Sequence, residues 1–189
     1  RKHHQFTDKP GDPHSPRDGF LHSHLWWMID GDHSLASPTF LKEYAPDLCK
    51  DPVHVFLNGF WYLPSVVLAS ALFLWGGPTA VLWGIFVPVG FGLEFTWLVN
   101  SACHVWGSRM FETDDDSTNN WWVAILTFGE GWHNNHHDQP TRARHGLVWY
   151  QIDPAWWIIK TLEWLHLATK INLKPSKRTV LKKAIENPA

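Results

Sequence analysis

The chain has 189 residues, enough for one compact domain, and its formal net charge of −2 gives no reason to expect nucleic acid as a partner. Its fourteen tryptophans and thirteen histidines are far above ordinary usage, and tryptophan enrichment is typical of proteins at membrane interfaces. The two cysteines, Cys49 and Cys103, form no metal-binding or redox spacing and predict no disulfide framework.

The first 52 residues are polar and rich in turn-forming residues. They open on Arg1-Lys2-His3-His4, which would complete a His-x-x-His-His array if histidine preceded Arg1. Arg1 is not an initiator methionine and no signal peptide precedes this polar opening. We therefore expect the chain to be a C-terminal fragment that begins inside such an array.

The next segment is almost free of charge. Between Pro52 and Ser108 there is no lysine, arginine or aspartate, and Glu94 is the single formal charge. Two apolar runs, residues 53–75 and 79–99, flank Gly76-Gly77-Pro78, and each is longer than the roughly 20 residues that cross a bilayer as helix. The pattern predicts a transmembrane helix hairpin over residues 53–99. The alternative, two buried helices of a soluble core, is disfavoured because so long a stretch with one charge is rare there.

The positive residues predict the orientation of this hairpin. All sixteen lysines and arginines lie outside it, six before and ten after, so the positive-inside rule places both flanks in the cytoplasm. The cytoplasmic parts would then be residues 1–52 and a cap of residues 100–189. For Glu94 we expect a protonated carboxyl that is hydrogen-bonded to another span, in preference to a role in metal binding.

Histidines in the cap indicate a metal site. His133, His136 and His137 form a His-x-x-His-His array, and residues at i, i+3 and i+4 share one helical face, so their imidazoles can converge. Asn100 and His104 have helical i, i+4 spacing just after the second run. With His3 and His4 on the same side of the membrane, the ligands exceed what one tetrahedral zinc uses, which favours two metals. Imidazole itself accepts zinc, copper, iron or nickel.

The remaining parts of the cap are less specific. Glu112, Asp114, Asp115 and Asp116 predict a solvated acidic loop, with docking of an electron donor as the sharper alternative. Asp153-Pro154 predicts the start of a helix that runs to about Ala168 and lies at the membrane interface. The tail over residues 170–189 is basic and predicts either contact with anionic headgroups or a solvated terminus.

Nearly the whole chain resembles the membrane fatty-acid desaturases of the stearoyl, or delta-9, type. Arg1-Lys2-His3-His4 resembles the end of their second histidine box, and Glu130-Gly131-Trp132-His133-Asn134-Asn135-His136-His137 resembles their third. Asp12-Pro13-His14-Ser15-Pro16-Arg17-Asp18-Gly19-Phe20 resembles the stretch after the second box, and Asn100-Ser101-Ala102-Cys103-His104 resembles the segment after the fourth span. Ala143-Arg144-His145-Gly146-Leu147 is similar to the bacterial, cyanobacterial and plant branch.

This resemblance implies an all-α integral membrane protein with four spans in the full chain and a di-iron centre under the cytoplasmic face. The implied iron ligands are His3, His4, His104, His133, His136 and His137, with Asn100 bound through water. The remaining histidines have no position in a box, and among them we expect His24 and His145 to lie near the site.

The implied reaction uses dioxygen and two external electrons to insert a cis double bond, at carbon 9, into a fatty-acyl chain carried by coenzyme A or a lipid. Iron is preferred because zinc has no redox step to offer. The electron donor would be a separate protein, with ferredoxin favoured over cytochrome b5. Two alternatives remain open: another histidine-box oxygenase, such as an alkane or lipid hydroxylase, and a membrane protein that binds or transports metal without catalysis.

Overall fold

The computed structural model describes residues 1–30 and 33–175, and this part of the chain is helical, with isolated β-bridges and no strand. The described chain contains nine α-helices: α1 Lys2–Phe6, α2 Trp27–Ile29, α3 Pro38–Tyr44, α4 Pro52–Gly59, α5 Leu63–Val81, α6 Val87–Ser101, α7 Trp121–Leu126, α8 His133–Asp138 and α9 Pro154–Trp164. Shorter 3-10 turns are Pro16–Asp18, His33–Ala36, Leu48–Lys50 and Ala102–His104, and π turns are His22–Trp26 and Leu82–Phe86. The predicted all-α class is confirmed.

The chain divides into two compact units. The first contains Arg1–Lys2 and Asp30–Glu94, and the second contains His3–Ile29 together with the described chain from Phe95 onward. The polar N-terminal segment is thus shared between the units, whereas the sequence pattern treats residues 1–52 as one segment. The single desaturase domain over residues 1–189 stays a prediction.

Within the described residues, one helical segment, Leu63–His104, is long and apolar enough to cross a membrane, and its most apolar window has no buried residue. Large apolar residues along it are exposed. For example, Leu74 is 87% exposed and Trp75 is 83% exposed. Such a surface is unfavourable in water and suits hydrocarbon surroundings.

The long segment reverses direction at Gly76 and Gly77. Gly77 has a φ of 64°, in the left-handed region that favours glycine, and neither residue has helical backbone angles. In an unbroken helix Leu72 and Gly84 would be separated by about 18 Å along the axis. A Cβ atom at Gly84 would instead lie 2.7 Å from Leu72 Cδ1, so the two arms are in contact. The predicted turn is therefore present as a turn between two helical arms.

The first predicted span, residues 53–75, is not one continuous helix. α4 ends at Gly59, and α5 begins at Leu63 with Pro64 in its first turn. Proline has no N–H to continue a helical ladder, but it is well tolerated in the first turn of a new helix. In the second arm, Pro88 follows the π turn Leu82–Phe86. A π turn is a local change in the helical hydrogen-bond pattern, and it accommodates the hydrogen bond that proline cannot make.

The interior of the second unit is mainly polar. Among the described residues, the buried set contains nine apolar and eighteen polar or charged side chains, and all of them belong to this unit. A small apolar cluster of Val99, Ala102, Cys103 and Val123 lies at the end of α6 and the start of α7. Because buried polar groups are stable only when hydrogen-bonded, this interior must be organised by a polar network.

Helix α9 starts as predicted, since the Asp153 carboxylate accepts a hydrogen bond from the Trp156 amide at 2.9 Å. It ends at Trp164, earlier than the predicted Ala168, because His166 adopts a left-handed φ of 60° that closes the last turn. The basic tail predicted over residues 170–189 lies outside the described residues from position 176 onward.

Candidate metal centre

The array of His133, His136 and His137, which resembles the third histidine box and is called the third array here, lies on α8, as its spacing predicts. His133 and His137 are one turn apart, and their Nε2 atoms are separated by 2.9 Å. His104 reaches the same point, with its Nε2 atom 3.1 Å from that of His133. His104 belongs to the 3-10 turn Ala102–His104 that follows α6, not to a continuation of the α-helix. The 3-10 turn therefore replaces the predicted helical pairing with Asn100.

His3 completes a group of four with these three rings. One ring nitrogen from each of His3, His104, His133 and His137 lies within 4.8 Å of the others. His104 and His133 are buried, and the two remaining rings are largely covered. The Nε2 atom of His3 is buried without a hydrogen-bond partner. This arrangement leaves a free acceptor nitrogen beside three others, as a metal site requires.

His4 and His136 form a second group beside the first. Their Nε2 atoms are 3.2 Å apart, and the His4 ring lies 4.9 Å, between centroids, from the ring of His137. The second array, represented here by His3 and His4, therefore meets the third array at two neighbouring points. All six histidines proposed as ligands from the sequence come together, while their binding of metal stays a prediction.

The two other residues singled out from the sequence are not part of these groups. Asn100 is half-buried in the last turn of α6, and its binding through water stays a prediction. Glu94 lies on the same helix within the first unit and is exposed. Its predicted hydrogen bond to another span also stays a prediction.

The spacing of the ring nitrogens fits bound metal. With a metal–nitrogen distance of about 2.1 Å, adjacent ligands of one ion lie roughly 3.0 to 3.4 Å apart. The observed separations of 3.1 Å in the first group and 3.2 Å in the second lie in this range, and the separation of 2.9 Å in the first group lies just below it. Without an ion, nitrogen lone pairs at such distances repel each other unless they share a proton. The residues present thus suit two neighbouring metal ions.

Burial favours the neutral form of His4, His133 and His136, which is the form that binds metal. Burial, together with the nearby His137 and His3, lowers the pKa of His4 to about 4. Burial, with the neighbouring His145 and His4, lowers the pKa of His136 to about 2. For His133, burial and the adjoining histidines hold the pKa well below its ordinary value.

Three aspartates contact histidines that are proposed as ligands, and the sequence did not reveal this role. Asp8 and Asp12 are buried, and Asp115 is largely covered. Asp8 lies 2.9 Å from His104 Nδ1, Asp12 lies 2.9 Å from His3 Nδ1, and Asp115 lies 3.0 Å from His137 Nδ1. Burial alone raises the pKa of Asp12, but its hydrogen bonds, above all with His3, bring the pKa down to about 2. Asp115 is therefore not a solvated loop residue as predicted, because its carboxylate turns inward.

Two asparagines fasten α8 to the surrounding loops. Asn134 Oδ1 accepts hydrogen bonds from the amides of Met110 and Phe111 at 2.8 and 2.7 Å. Asn135 Nδ2 donates to the His145 carbonyl at 2.8 Å and to Gln151 Oε1 at 2.9 Å. Both side chains are almost completely buried. The two residues between the histidines of the array therefore act as structural anchors.

Gly131 lets α7 approach this anchored turn. A Cβ atom there would lie 2.1 Å from the amide nitrogen of Ala124 and 2.6 Å from the Asn120 carbonyl oxygen. No side chain fits in that space, because the obstructing atoms belong to the backbone. The glycine that precedes Trp132 and His133 is thus required by close packing.

His24 and His145 were expected to lie near the site. The His145 ring lies 4.5 Å from that of His136, as predicted. His24 hydrogen-bonds Ser101 at 3.0 Å and its ring packs near Trp97, at the end of α6. His14, which was not expected near the site, stacks on His3 with 4.2 Å between ring centroids. In the sequence, His14 lies close to Asp12 and to His3 and His4, and this closeness could have indicated that His14 is near the site.

A polar cavity of about 400 Å³ opens beside the two histidine groups. His4 and His137 contribute to its wall, and the acidic residues Glu112, Asp114, Asp115 and Asp138 line much of the rest. A cavity with this lining suits water and ions better than a hydrocarbon chain.

Comparison with known proteins adds an independent line of evidence. Residues 1–168 match the family model described as "Fatty acid desaturase". The chain is 47% identical over 92% of its length to a palmitoyl-monogalactosyldiacylglycerol delta-7 desaturase, chloroplastic, of Arabidopsis thaliana, covering 46% of that protein. It is 44% identical over 99% of its length to an acyl-CoA C20 Delta5-desaturase of Anemone leveillei, covering 59% of it.

A cyanobacterial relative is similar to the same degree. This sn-1 stearoyl-lipid 9-desaturase of Synechocystis is 45% identical over 93% of the chain and 54% of its own length. The chain spans about half the length of the curated relatives it matches. The match covers both histidine arrays and the apolar segment between them. The chain therefore belongs to the fatty acid desaturase family.

Proposed function

We propose that the protein is a fatty-acyl desaturase that inserts a cis double bond into a saturated acyl chain, using dioxygen and two electrons from an external donor. The observation that carries this proposal is the meeting of six histidines in two adjacent groups within a chain of the desaturase family. The two groups would hold the two irons of the centre.

The residues that would hold the metal are His3, His104, His133 and His137 in the first group, and His4 and His136 in the second. Asn100 would contribute through a bound water. Bound iron would supply the activation of dioxygen that removing two hydrogens from an unactivated methylene pair demands, which no side chain can provide.

The chain's own residues prepare the site in two ways. Burial lowers the pKa of His4 and of His136, so no proton has to be displaced from these two rings near neutral pH when metal binds. The hydrogen bonds of Asn134 and Asn135 fix α8 against the loops on either side. The ligands are thereby held in place before the ion arrives.

The exposed apolar segment and the family together indicate that the protein is associated with a membrane. We propose that both arms around Gly76 and Gly77 cross the bilayer and that the two histidine groups face the cytoplasm. The contact between Leu72 and Gly84 supports two antiparallel arms, and the distribution of lysine and arginine supports the orientation.

The position of the double bond is proposed as carbon 9. Relatives of similar identity are named as delta-7, Delta5 and 9-desaturases, and two cyanobacterial ones are named as 9-desaturases. For the electron donor we propose ferredoxin, since the similarity extends to chloroplastic and cyanobacterial proteins, with cytochrome b5 as the alternative.

Expression of the intact gene product containing this sequence in a desaturase-deficient host tests the activity. We expect new monounsaturated acyl chains, with the double bond mapped by mass spectrometry to carbon 9. The His136→Ala variant should produce none, while His54→Ala, which alters an exposed histidine on α4, should match the unmodified protein. A hydroxylated product would favour the hydroxylase alternative, and unchanged lipids despite folded, iron-loaded protein would contradict the proposal.

A further inference from the structure

Three of the four histidines in the first group have the same kind of partner on the far side of the ring. In His104, His3 and His137 the Nδ1 atom contacts a carboxylate oxygen, from Asp8, Asp12 and Asp115 respectively, at 2.9, 2.9 and 3.0 Å. The three carboxylates come from separate turns of two loops. Their side chains are 1%, 0% and 13% exposed.

A carboxylate on Nδ1 decides where the proton of a neutral imidazole resides. An ionised carboxylate can only accept a hydrogen bond, so Nδ1 must be the donor and carry the proton. The lone pair is then on Nε2, the nitrogen that His104 and His137 direct towards His133. The orientation and the protonation of the ring are fixed by one contact.

We propose that Asp8, Asp12 and Asp115 are positioning residues, which hold His104, His3 and His137 with Nδ1 protonated and Nε2 free to bind a metal ion. The inference rests on the proposed function, because it concerns the same pair of histidine groups. The aspartates themselves are not ligands in this account. They act through the histidines that they orient.

The positions of Asp8 and Asp12 are coupled to each other. The amide of Asp8 donates to Asp12 Oδ2 at 2.8 Å, and Asp8 Oδ2 also accepts the amide of Asp116 at 2.8 Å. Arg17 donates to the Asp8 carbonyl at 2.7 Å and pairs through two nitrogens with the carboxylate of Asp116. Residues 8–17 therefore connect His3, through Asp12, with His104, through Asp8.

Asp8 has a backbone φ of 56°, in the left-handed region. Aspartate tolerates this region better than most residues, but the conformation still requires support from its surroundings. The five hydrogen bonds of the side chain and backbone of Asp8 supply that support. The loop is thus built to place one carboxylate against His104.

His133 provides an internal contrast. Its Nδ1 atom is buried and has no hydrogen-bond partner, and the same holds for His136 Nδ1. The proposed positioning therefore applies to three specific rings and not to every histidine of the site. A measurement that resolves single rings can separate the two kinds.

Nitrogen NMR of histidine in the metal-free protein tests the inference without any change to the aspartates. The intact gene product would be labelled with ¹⁵N-histidine, and the signals of the three rings assigned by single His→Gln substitutions. We expect the neutral form of His3, His104 and His137 to carry its proton on Nδ1, which faces a carboxylate in each case. Protonation on Nε2 in these three rings would overturn the proposal.

Metal binding by aspartate variants provides the second test. Cobalt(II) would be titrated into the metal-free protein and followed by its visible absorption. For Asp8→Asn, Asp12→Asn and Asp115→Asn we expect an affinity lower by about 10- to 100-fold, with a changed absorption spectrum and an unchanged number of bound ions. The controls are Asp18→Asn and Asp114→Asn, exposed aspartates of the same two loops, which should bind as the unmodified protein does.

The outcomes separate this inference from the proposed function. Equal affinity and spectrum in all five variants would overturn the positioning role even if the protein makes double bonds. The loss of one whole ion in Asp12→Asn would instead make Asp12 a ligand, since His3, Asp12 and His14 could also hold a metal. If the affinities fall as expected but no double bond is made, the positioning role stands and the desaturase proposal fails.

Discussion

At the scale of single residues, two asparagines anchor the helix that carries the histidine array. The array reads His-Asn-Asn-His-His, and its spacing alone assigns no role to Asn134 and Asn135. Their side chains are almost fully buried and make hydrogen bonds to two loops. Position alone could not show this, because an asparagine between helical histidines is equally compatible with an exposed face.

Replacing Asn134 should destabilise the protein. Asn134→Ala leaves the buried amides of Met110 and Phe111 without their acceptor, at a cost of about 1–3 kcal/mol for each. Because 1 kcal/mol shifts the unfolding midpoint of a chain of this size by roughly 2–4 °C, we expect that midpoint to fall by roughly 4–24 °C, measured by calorimetry in detergent.

Asn172→Ala is the matched control, since the side-chain hydrogen bonds of Asn172 to Thr141 lie at the surface. Its unfolding temperature should stay within about 1 °C of the unmodified protein, because surface substitutions change stability little. Equal unfolding temperatures for Asn134→Ala and the unmodified protein would show that α8 is not anchored by this side chain.

At the scale of elements, the helical class and the turn at Gly76-Gly77-Pro78 were predictable, since both follow from apolar periodicity, length and glycine-proline chemistry. The same reasoning placed His133 and His137 on one helical face, and α8 confirms it. The breaks within the apolar runs were not predicted. Pro64 lies in the first turn of α5, after the break that follows Gly59, because proline cannot continue a helical ladder.

The long-range contacts of the site could not be predicted from the sequence, for a different reason. The contacts of Asp8 with His104 and of Asp115 with His137 join residues 96 and 22 positions apart. Local spacing gives no information about such pairs. An acidic run such as residues 112–116 is usually solvated, and only tertiary structure shows that Asp115 turns inward.

If the two arms of the apolar segment cross the bilayer as a hairpin, the turn between them and the histidine-bearing loops lie on opposite sides of the membrane. Cysteines would be introduced singly by Pro78→Cys and Asp114→Cys after replacement of the exposed Cys49 by serine, with the buried Cys103 retained. In sealed vesicles a membrane-impermeant thiol reagent should label position 114 from the cytoplasmic side and position 78 from the opposite side. Labelling of both from the same side would contradict a hairpin that crosses the bilayer twice.

At the scale of the whole molecule, the buried histidines make stability depend on pH. Burial and the nearby His3 lower the pKa of His14 from 6.5 to about 4, and His4 has a pKa lowered to the same value, chiefly by burial. Above pH 6.5 these rings are neutral in both the folded and the unfolded chain. Below it, only the unfolded chain takes up the protons until about pH 4.

We therefore expect the metal-free protein to lose stability as the pH falls from 6.5 to 4, because unfolding then takes up protons. The lowered pKa of Asp12, about 2 in the folded chain, acts in the same direction below pH 3.8. Thermal unfolding measured at intervals of half a pH unit would check this. A stability that is constant or rises towards pH 4 would show that these histidines are not buried in the neutral form.

The central claim is that the two histidine groups hold two iron ions. Its most direct test is the iron content of the intact gene product, expressed with ample iron, purified without chelators and measured by elemental analysis against protein concentration. The account predicts about two irons per chain, with a marked loss in the His133→Ala variant and none in His54→Ala. One iron, none, or another metal in its place would contradict it.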